Sequence, residues 1–240
     1  MVNERTLLGL RFADLDAERA AAAIAARPAG APFAYVVTPN ADHLVRLARE
    51  PMLLPLYGAA WMRLLDSRVV ANVAWILGMQ PPGVATGSDV TATLLRQGET
   101  ITVIGMSAAH VPALIARTGL AGVAHHNPPM GFERDPVAFH AAVAFVVAHP
   151  ARYVFLAVGS PRQERLAAAI AATGRATGTG LCIGAALEFV AGTKRRAPRW
   201  MQRAALEWLA RLTAEPRRLW RRYLVDCPEV LRLLWRARWG

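Results

Sequence analysis

The chain has 240 residues, 54% of them apolar, with a formal net charge of +11. That length supports one good core with room for a small appendage, and two cysteines, Cys182 and Cys227, make no disulfide framework, so a disulfide-stapled secreted domain is excluded and a reducing cytoplasm is the simplest setting. No run of roughly 18 uncharged apolar residues exists, so a spanning helix is not expected, and Asn3, Glu4 and Arg5 ahead of a short apolar stretch do not read as a signal peptide.

Strand-like and helix-like segments alternate along the body. Asp16 is placed to cap an Ala-rich helix beginning near Ala17. Residues 33–38 form a short apolar strand by composition, with a helix following from about Ala41. Asp66 follows Leu64 and Leu65, where a strand end is plausible; from local sequence alone it reads as a turn or cap residue. Residues 100–105 make a second strand, with a helix from Ala108. The long apolar stretch at 138–158 is interrupted by His140, His149, Pro150 and Arg152. Its last part, residues 152–158, is the clearest strand, and a helix follows Pro161. Residues 181–184 make a fourth. Short apolar runs alternating with helical patterns predict an α/β fold, a mostly parallel, Rossmann-like sheet flanked by helices. Ligands in such sheets gather beyond the strand C-termini, here the loops 38–40, 105–107, 159–164 and 184–188.

Residues 158–164, Val-Gly-Ser-Pro-Arg-Gln-Glu, are the sharpest local signal. Gly159 permits close backbone approach, Ser160 is placed to cap the next helix, and Pro161 suits its first position. A helix N-terminus at a strand end attracts phosphate, and the amide of Gln163 can read a sugar or base. The same pattern also describes an ordinary strand–turn–helix joint. The tail is different in kind. Residues 194–240 hold 13 Lys/Arg against 4 Asp/Glu, and five of the seven tryptophans: Trp200, Trp208, Trp220, Trp235 and Trp239. It reads as three helices, at about 199–213, 215–225 and 228–238. Basic charge interleaved with Trp and Leu fits anionic headgroups or a lipid-linked phosphate, and arginine also attracts nucleic acid. The division expected is a catalytic body over residues 1–196 and a helical, basic appendage over 197–240.

Several blocks together carry a resemblance: Thr38-Pro-Asn40, Gly87-Ser-Asp89, Pro128-Pro-Met-Gly-Phe132, the run from Gly184 through Glu188 and Phe189 to Pro198, and the tail sequence from Gln202 to Tyr223. In this order and spacing they resemble the WecG/TagA/CpsF glycosyltransferases, over almost the full length. The resemblance implies inverting transfer of a hexose-type sugar, such as N-acetylmannosamine or its uronic acid, from a UDP-sugar to a polyprenyl-diphosphate-linked acceptor. No cofactor or divalent metal is implied, and the products are teichoic-acid linkage units, capsule or other cell-surface polysaccharides. It places the enzyme peripherally on the inner face of the cell membrane, against an anionic surface, with self-association open. It also implies site residues: Asp66 as base with Thr38 and Asn40 beside it; Gly105, Gly159, Ser160, Gln163, Gly184 and Glu188 around the donor; Arg217, Arg218, Arg221 and Arg222 on the acceptor diphosphate or the membrane. Two positions depart from the family: Ser67, where glycine is usual, and Val84, where an arginine is.

Three other patterns are set aside. Asp14-Leu-Asp16 matches the DxD pattern of metal-dependent glycosyltransferases but precedes a helix that Asp16 would cap. His125 and His126 have no carboxylate or cysteine at ligand spacing. Gly178, Gly180 and Gly184 precede a strand, where a dinucleotide fingerprint would follow one. The alternatives carried forward are a non-catalytic family member scaffolding a polysaccharide assembly complex and a basic nucleic-acid-binding protein. The second leaves the body motifs idle, so no nucleic-acid partner is expected.

Overall fold

The computed structural model describes all residues except 1, 97, 199, 202, 203, 215, 222–227 and 240, and the side chains of 211, 214, 218, 219 and 221 are likewise not described. A hairpin of β1 (Glu4–Leu7) and β2 (Leu10–Ala13) leads into α1 (Ala17–Ala25). Then come β3 (Ala34–Val37), α2 (Ala41–Arg49), α3 (Leu54–Gly58), β4 (Met62–Arg63), α4 (Arg68–Ile76) and α5 (Gly87–Leu95). The second half runs β5 (Ile101–Gly105), α6 (Val111–Thr118), β6 (Val123–His126), α7 (Pro136–Ala148), β7 (Tyr153–Ala157), α8 (Arg162–Ala172), β8 (Thr179–Cys182) and α9 (Ala186–Ala191). The tail contributes α10 (Glu207–Ala214), α11 (Pro216–Arg221) and α12 (Pro228–Trp239).

Six strands form one all-parallel sheet in the order β4-β3-β8-β7-β5-β6. The α/β, Rossmann-like expectation is therefore met. Alternate residues of each central strand feed opposite cores, as a period of two requires. Tyr35, Val37, Val154, Leu156 and Cys182 enter the core that α2, α4, α7 and α8 cover. Val36, Val103, Tyr153, Phe155 and Leu181 enter the core that α1, α5, α6 and α9 cover. With both faces covered, the central strands are mostly apolar, with Thr102 and Thr179 buried among them, and each fully buried large side chain contributes roughly 1.5–3 kcal/mol of transfer free energy.

Helix starts follow the capping residues. Asp16 accepts from the Arg19 N–H at 2.8 Å, which accounts for one half of the DxD pattern. The other half, Asp14, pairs with Arg5 at 2.6 Å and accepts from the Gly83 N–H at 2.8 Å. Asn40 caps α2, Thr86 caps α5, and Asp135 caps α7 ahead of Pro136. Ser67 caps α4, accepting from Val70 N–H at 3.2 Å; its φ of −159° is extended backbone that any residue adopts, so no glycine is required there. Val84 bridges Leu65 in parallel, extending the β4 edge by a short segment.

The tail's last helix is built into the body. Val230 and Leu234 of α12 are buried in the core shared with α2 and α4, and Glu229 pairs with Arg49 of α2. No helix among the described residues is long and apolar enough to cross a membrane.

Candidate active site

From β3 the chain turns to β4 at one edge of the sheet, and from β5 to β6 at the other. The strand ends between them, β3, β8, β7 and β5, therefore border the crevice where a doubly wound sheet takes its ligand. Thr38 follows β3 and is buried; its hydroxyl donates to the Cys182 carbonyl at the end of β8, 3.0 Å away. Asp66 follows β4. Its N–H donates to the Pro39 carbonyl at 3.0 Å, and its Oδ2 accepts from the Gly87 N–H at 3.2 Å. A Cβ at Gly87 would stand 3.1 Å from the Thr38 hydroxyl and 3.6 Å from Asp66 Oδ2. The chain thus brings Thr38, Asp66 and the start of α5 together from positions 38, 66 and 87.

Asn40 is next to this group, but its side chain has a local task. Its Oδ1 accepts from the Asp42 N–H at 3.1 Å and the His43 N–H at 3.4 Å, and its own N–H donates to His43 Nδ1 at 3.1 Å. That reciprocal pair fixes the loop after β3.

Gln163 is 3% exposed, and both ends of its amide are used: Oε1 accepts from the Gly184 N–H at 3.0 Å, and Nε2 donates to Glu164 at 2.9 Å. It joins the loops after β7 and β8. Ser160 departs from its expected role. Pro161 occupies the N-cap position of α8, where no side-chain cap bond forms. The Ser160 hydroxyl instead accepts from Arg46 Nη1 at 3.1 Å and lies 3.4 Å from the Tyr57 hydroxyl, so α2 and α3 hold it. Arg46 is paired in turn with Asp42 at 2.9 Å.

Glu164, 1% exposed, completes this buried polar cluster. Burial pushes its carboxyl above the usual range, against the bond from Gln163, the polar Ser160 hydroxyl and the charge of Arg46. Its Oε2 has no hydrogen-bond partner. Burial likewise pushes Tyr35 up to about 12, and Tyr57 well above the ordinary phenol value.

Gly105 ends β5 with φ +93°, and a Cβ there would meet the Ala157 carbonyl at 2.8 Å, so both backbone angle and space demand glycine. Met106 follows, also at positive φ, and the His125 Nε2 lies 3.0 Å from the Gly105 carbonyl and 3.1 Å from that of Met106. An Nε2–H tautomer donates to both and fixes the loop after β5, the use found here for a histidine first weighed as a metal ligand. Among the described residues no group of three or more His, Cys, Asp or Glu side chains is placed to hold a metal ion.

Glu188 sits on α9 and ties the start of the tail: it pairs with Lys194 at 2.6 Å, lies 3.8 Å from His110 Nδ1, and its carbonyl accepts from the Thr193 hydroxyl at 3.2 Å. Arg217 is exposed on α11, which also includes Arg218 and Arg221; the side chains of those two, and Arg222 altogether, lie outside the described residues.

Sequence reasoning missed Arg46, Tyr57, Glu164 and Arg196 as functional residues. The Asp42/Arg46 spacing of i, i+4 was a signal for the first. Arg196 was hidden within a run of basic residues. It reaches back to α5, where Nη1 donates to Asp89 Oδ1 at 2.6 Å.

No curated protein matches the chain at a significant level. The family model for the glycosyl transferase WecG/TagA/CpsF family matches residues 5–240, nearly the whole length. With a parallel α/β sheet and the blocks at 38–40, 66 and 87–89 gathered at its strand ends, the chain belongs to the WecG/TagA/CpsF glycosyltransferase family, the sugar transferases of cell-surface polysaccharide biosynthesis.

Proposed function

We propose that the chain transfers a hexose-type sugar, of the N-acetylmannosamine or N-acetylmannosaminuronic acid class, from a UDP-sugar to a hydroxyl of a polyprenyl-diphosphate-linked acceptor, with inversion and without a divalent metal. The observation that carries this reading is the meeting of Thr38, Asp66 and Gly87 at the strand ends. Asp66 takes the proton of the acceptor hydroxyl as its oxygen attacks C1 of the donor sugar. The bond from C1 to the diphosphate oxygen breaks, UDP leaves with that electron pair, and the proton passes from Asp66 to solvent. Attack opposite the leaving group inverts the anomeric centre. Gly105, Gly159 and Gly184 offer backbone to the donor, with Gln163 holding the Gly184 loop and Ser160 fixed by Arg46. Arginine bonds to the diphosphate stabilise the leaving UDP, for which Arg217, Arg218, Arg221 and Arg222 of the tail are candidates.

The reading also makes the chain a peripheral protein of the inner membrane face. On α12, Leu231, Trp235 and Trp239 form an exposed stripe at i, i+4, i+8, one residue along from the buried pair Val230 and Leu234. Arg232 and Arg236 border it. Trp75 and Ile76, exposed on the adjoining α4, add to this face, and Arg238 donates to the Leu77 carbonyl beside them at 3.2 Å. Indole rings beside arginines suit the headgroup layer of an anionic bilayer.

The experiment is a donor panel: purified chain, several UDP-sugars, and a short-chain prenyl-diphosphate-linked sugar, with the lipid product identified by mass spectrometry and its new anomeric linkage by NMR. One UDP-sugar is expected to yield product with inverted configuration, in the presence of a chelator. Retention, or turnover only with added divalent metal, contradicts the mechanism.

A further inference from the structure

Arg196 lies where body and tail meet. Its side chain is 21% exposed and touches two elements, the start of α5 and the start of α10. Nη1 donates to Asp89 Oδ1 at 2.6 Å, Nη2 lies 3.4 Å from the Thr86 hydroxyl, and Nε lies 3.9 Å from Glu207 of α10. Thr86 and Asp89 flank Gly87, whose N–H is bonded to Asp66. Burial works against the charge on Arg196, yet the bond to Asp89 and the charges of Asp89, Glu207 and Asp66 outweigh it, so this is a fixed cation.

The guanidinium is under-used as a donor. It carries five N–H groups in a planar fork that suits oxygen pairs. Here one strong bond goes to Asp89, the contact with Thr86 is long, and Nε is buried without a hydrogen-bond partner, since 3.9 Å exceeds hydrogen-bond range. Asp66 lies within electrostatic reach of this guanidinium, so anionic oxygens arriving beside Asp66 approach a fixed cation with a donor to spare. We infer that Arg196 is a ligand of the substrate diphosphate, held on Asp89 and Thr86 until the diphosphate takes over its donors. Because Arg196 also faces Glu207, diphosphate binding and the seating of α10 share one side chain. This rests on the proposed use of diphosphate substrates. Both donor and acceptor carry that group, and the test separates them.

The full chain would be titrated calorimetrically with UDP in one arm and a short-chain prenyl diphosphate in the other, for the parent, Arg196→Gln, Arg196→Lys and Asp89→Asn, with a melting curve for each. Arg196→Gln is expected to weaken at least one diphosphate by roughly 10- to 100-fold, the scale of a lost charge-assisted bond. The arm affected identifies the source. Arg196→Lys recovers part of the loss, keeping the charge without the fork. Asp89→Asn, which releases the guanidinium, binds at least as tightly as the parent. A merely structural ion pair would behave differently, with Asp89→Asn losing affinity as Arg196→Gln does. That result overturns the inference, as does unchanged binding by Arg196→Gln or a parent that binds neither ligand. A parent that binds diphosphate through Arg196 but moves no sugar removes the proposed reaction and leaves this site standing. One that moves sugar with Arg196→Gln unaffected does the reverse.

Discussion

At the scale of single residues, the centre of the site is set by small groups in close contact. Gly87 has almost no spare room: an added methyl meets the Thr38 hydroxyl at 3.1 Å, beside Asp66. Gly87→Ala is therefore expected to shift Thr38 or Asp66 and lower turnover by about tenfold or more, the penalty of displacing a positioned reacting group, while α5 remains folded. Steady-state rates beside a circular-dichroism melt check this. Gln163 has a different role. Gln163→Leu leaves the Gly184 N–H and one Glu164 oxygen without their partner, and is expected to cost about 1–3 kcal/mol of stability in urea unfolding. Asp66 and Thr38 were legible in the sequence as site residues only through the family resemblance, whereas Gln163 was marked by the local strand–turn–helix pattern at 158–164. Composition around Asp66 read as a turn, because an isolated carboxylate after a strand has many uses. What the sequence could not carry was partnership. The Thr38 hydroxyl bonds residue 182, Ser160 is held by residue 46, and Arg196 reaches residue 89, contacts made across the fold and invisible to local spacing.

Between residues and the whole stand the elements, and here the sequence was read more fully. The four central strands were found because apolar runs of four to five residues, bounded by polar loops, have few alternatives. The two edge strands were harder. β4 has two residues, and β6 ends in His125 and His126 and stays half-buried at the sheet edge, so neither has an apolar run. The expectation that Ser160 caps α8 failed because Arg46 and Tyr57 claim its hydroxyl first. That buried cluster carries a pH prediction. The Glu164 carboxyl lies above its ordinary 4.5 in the fold, chiefly through burial. A raised carboxyl favours the folded state while protonated: its contribution is fully present below the unfolded pKa and is lost as pH rises through the folded one. The parent's melting temperature should therefore decline from about pH 4.5 upward over the range in which Glu164 ionises. Glu164→Gln should flatten this decline and be more stable than the parent at the alkaline end. Identical slopes for the two proteins would remove Glu164 as the cause.

For the whole molecule, the tail does two things. Its basic and aromatic composition was plain in the sequence, but composition does not say which faces are covered. The structure buries Val230 and Leu234 of α12 in the body's core and leaves Trp235 and Trp239 59% and 63% exposed. Deleting the tail would thus remove core and surface together. Trp235→Ser with Trp239→Ser is the cleaner change: it should leave the melting temperature within a few degrees and weaken sedimentation with anionic vesicles by roughly tenfold or more, as apolar contact with the bilayer is lost. Arg196, between the body's Asp89 and the tail's Glu207, joins α10 to the start of α5. The crevice itself is tested most directly by the rate of sugar transfer from UDP-sugar to a prenyl-diphosphate-linked acceptor in Asp66→Asn, measured beside UDP affinity in the same protein. Loss of the base predicts a fall in kcat of about 10²- to 10⁴-fold with UDP binding within a few-fold of the parent. Transfer at the parent's rate would contradict the assignment of Asp66 and, with it, of the Thr38–Asp66–Gly87 group as the catalytic centre.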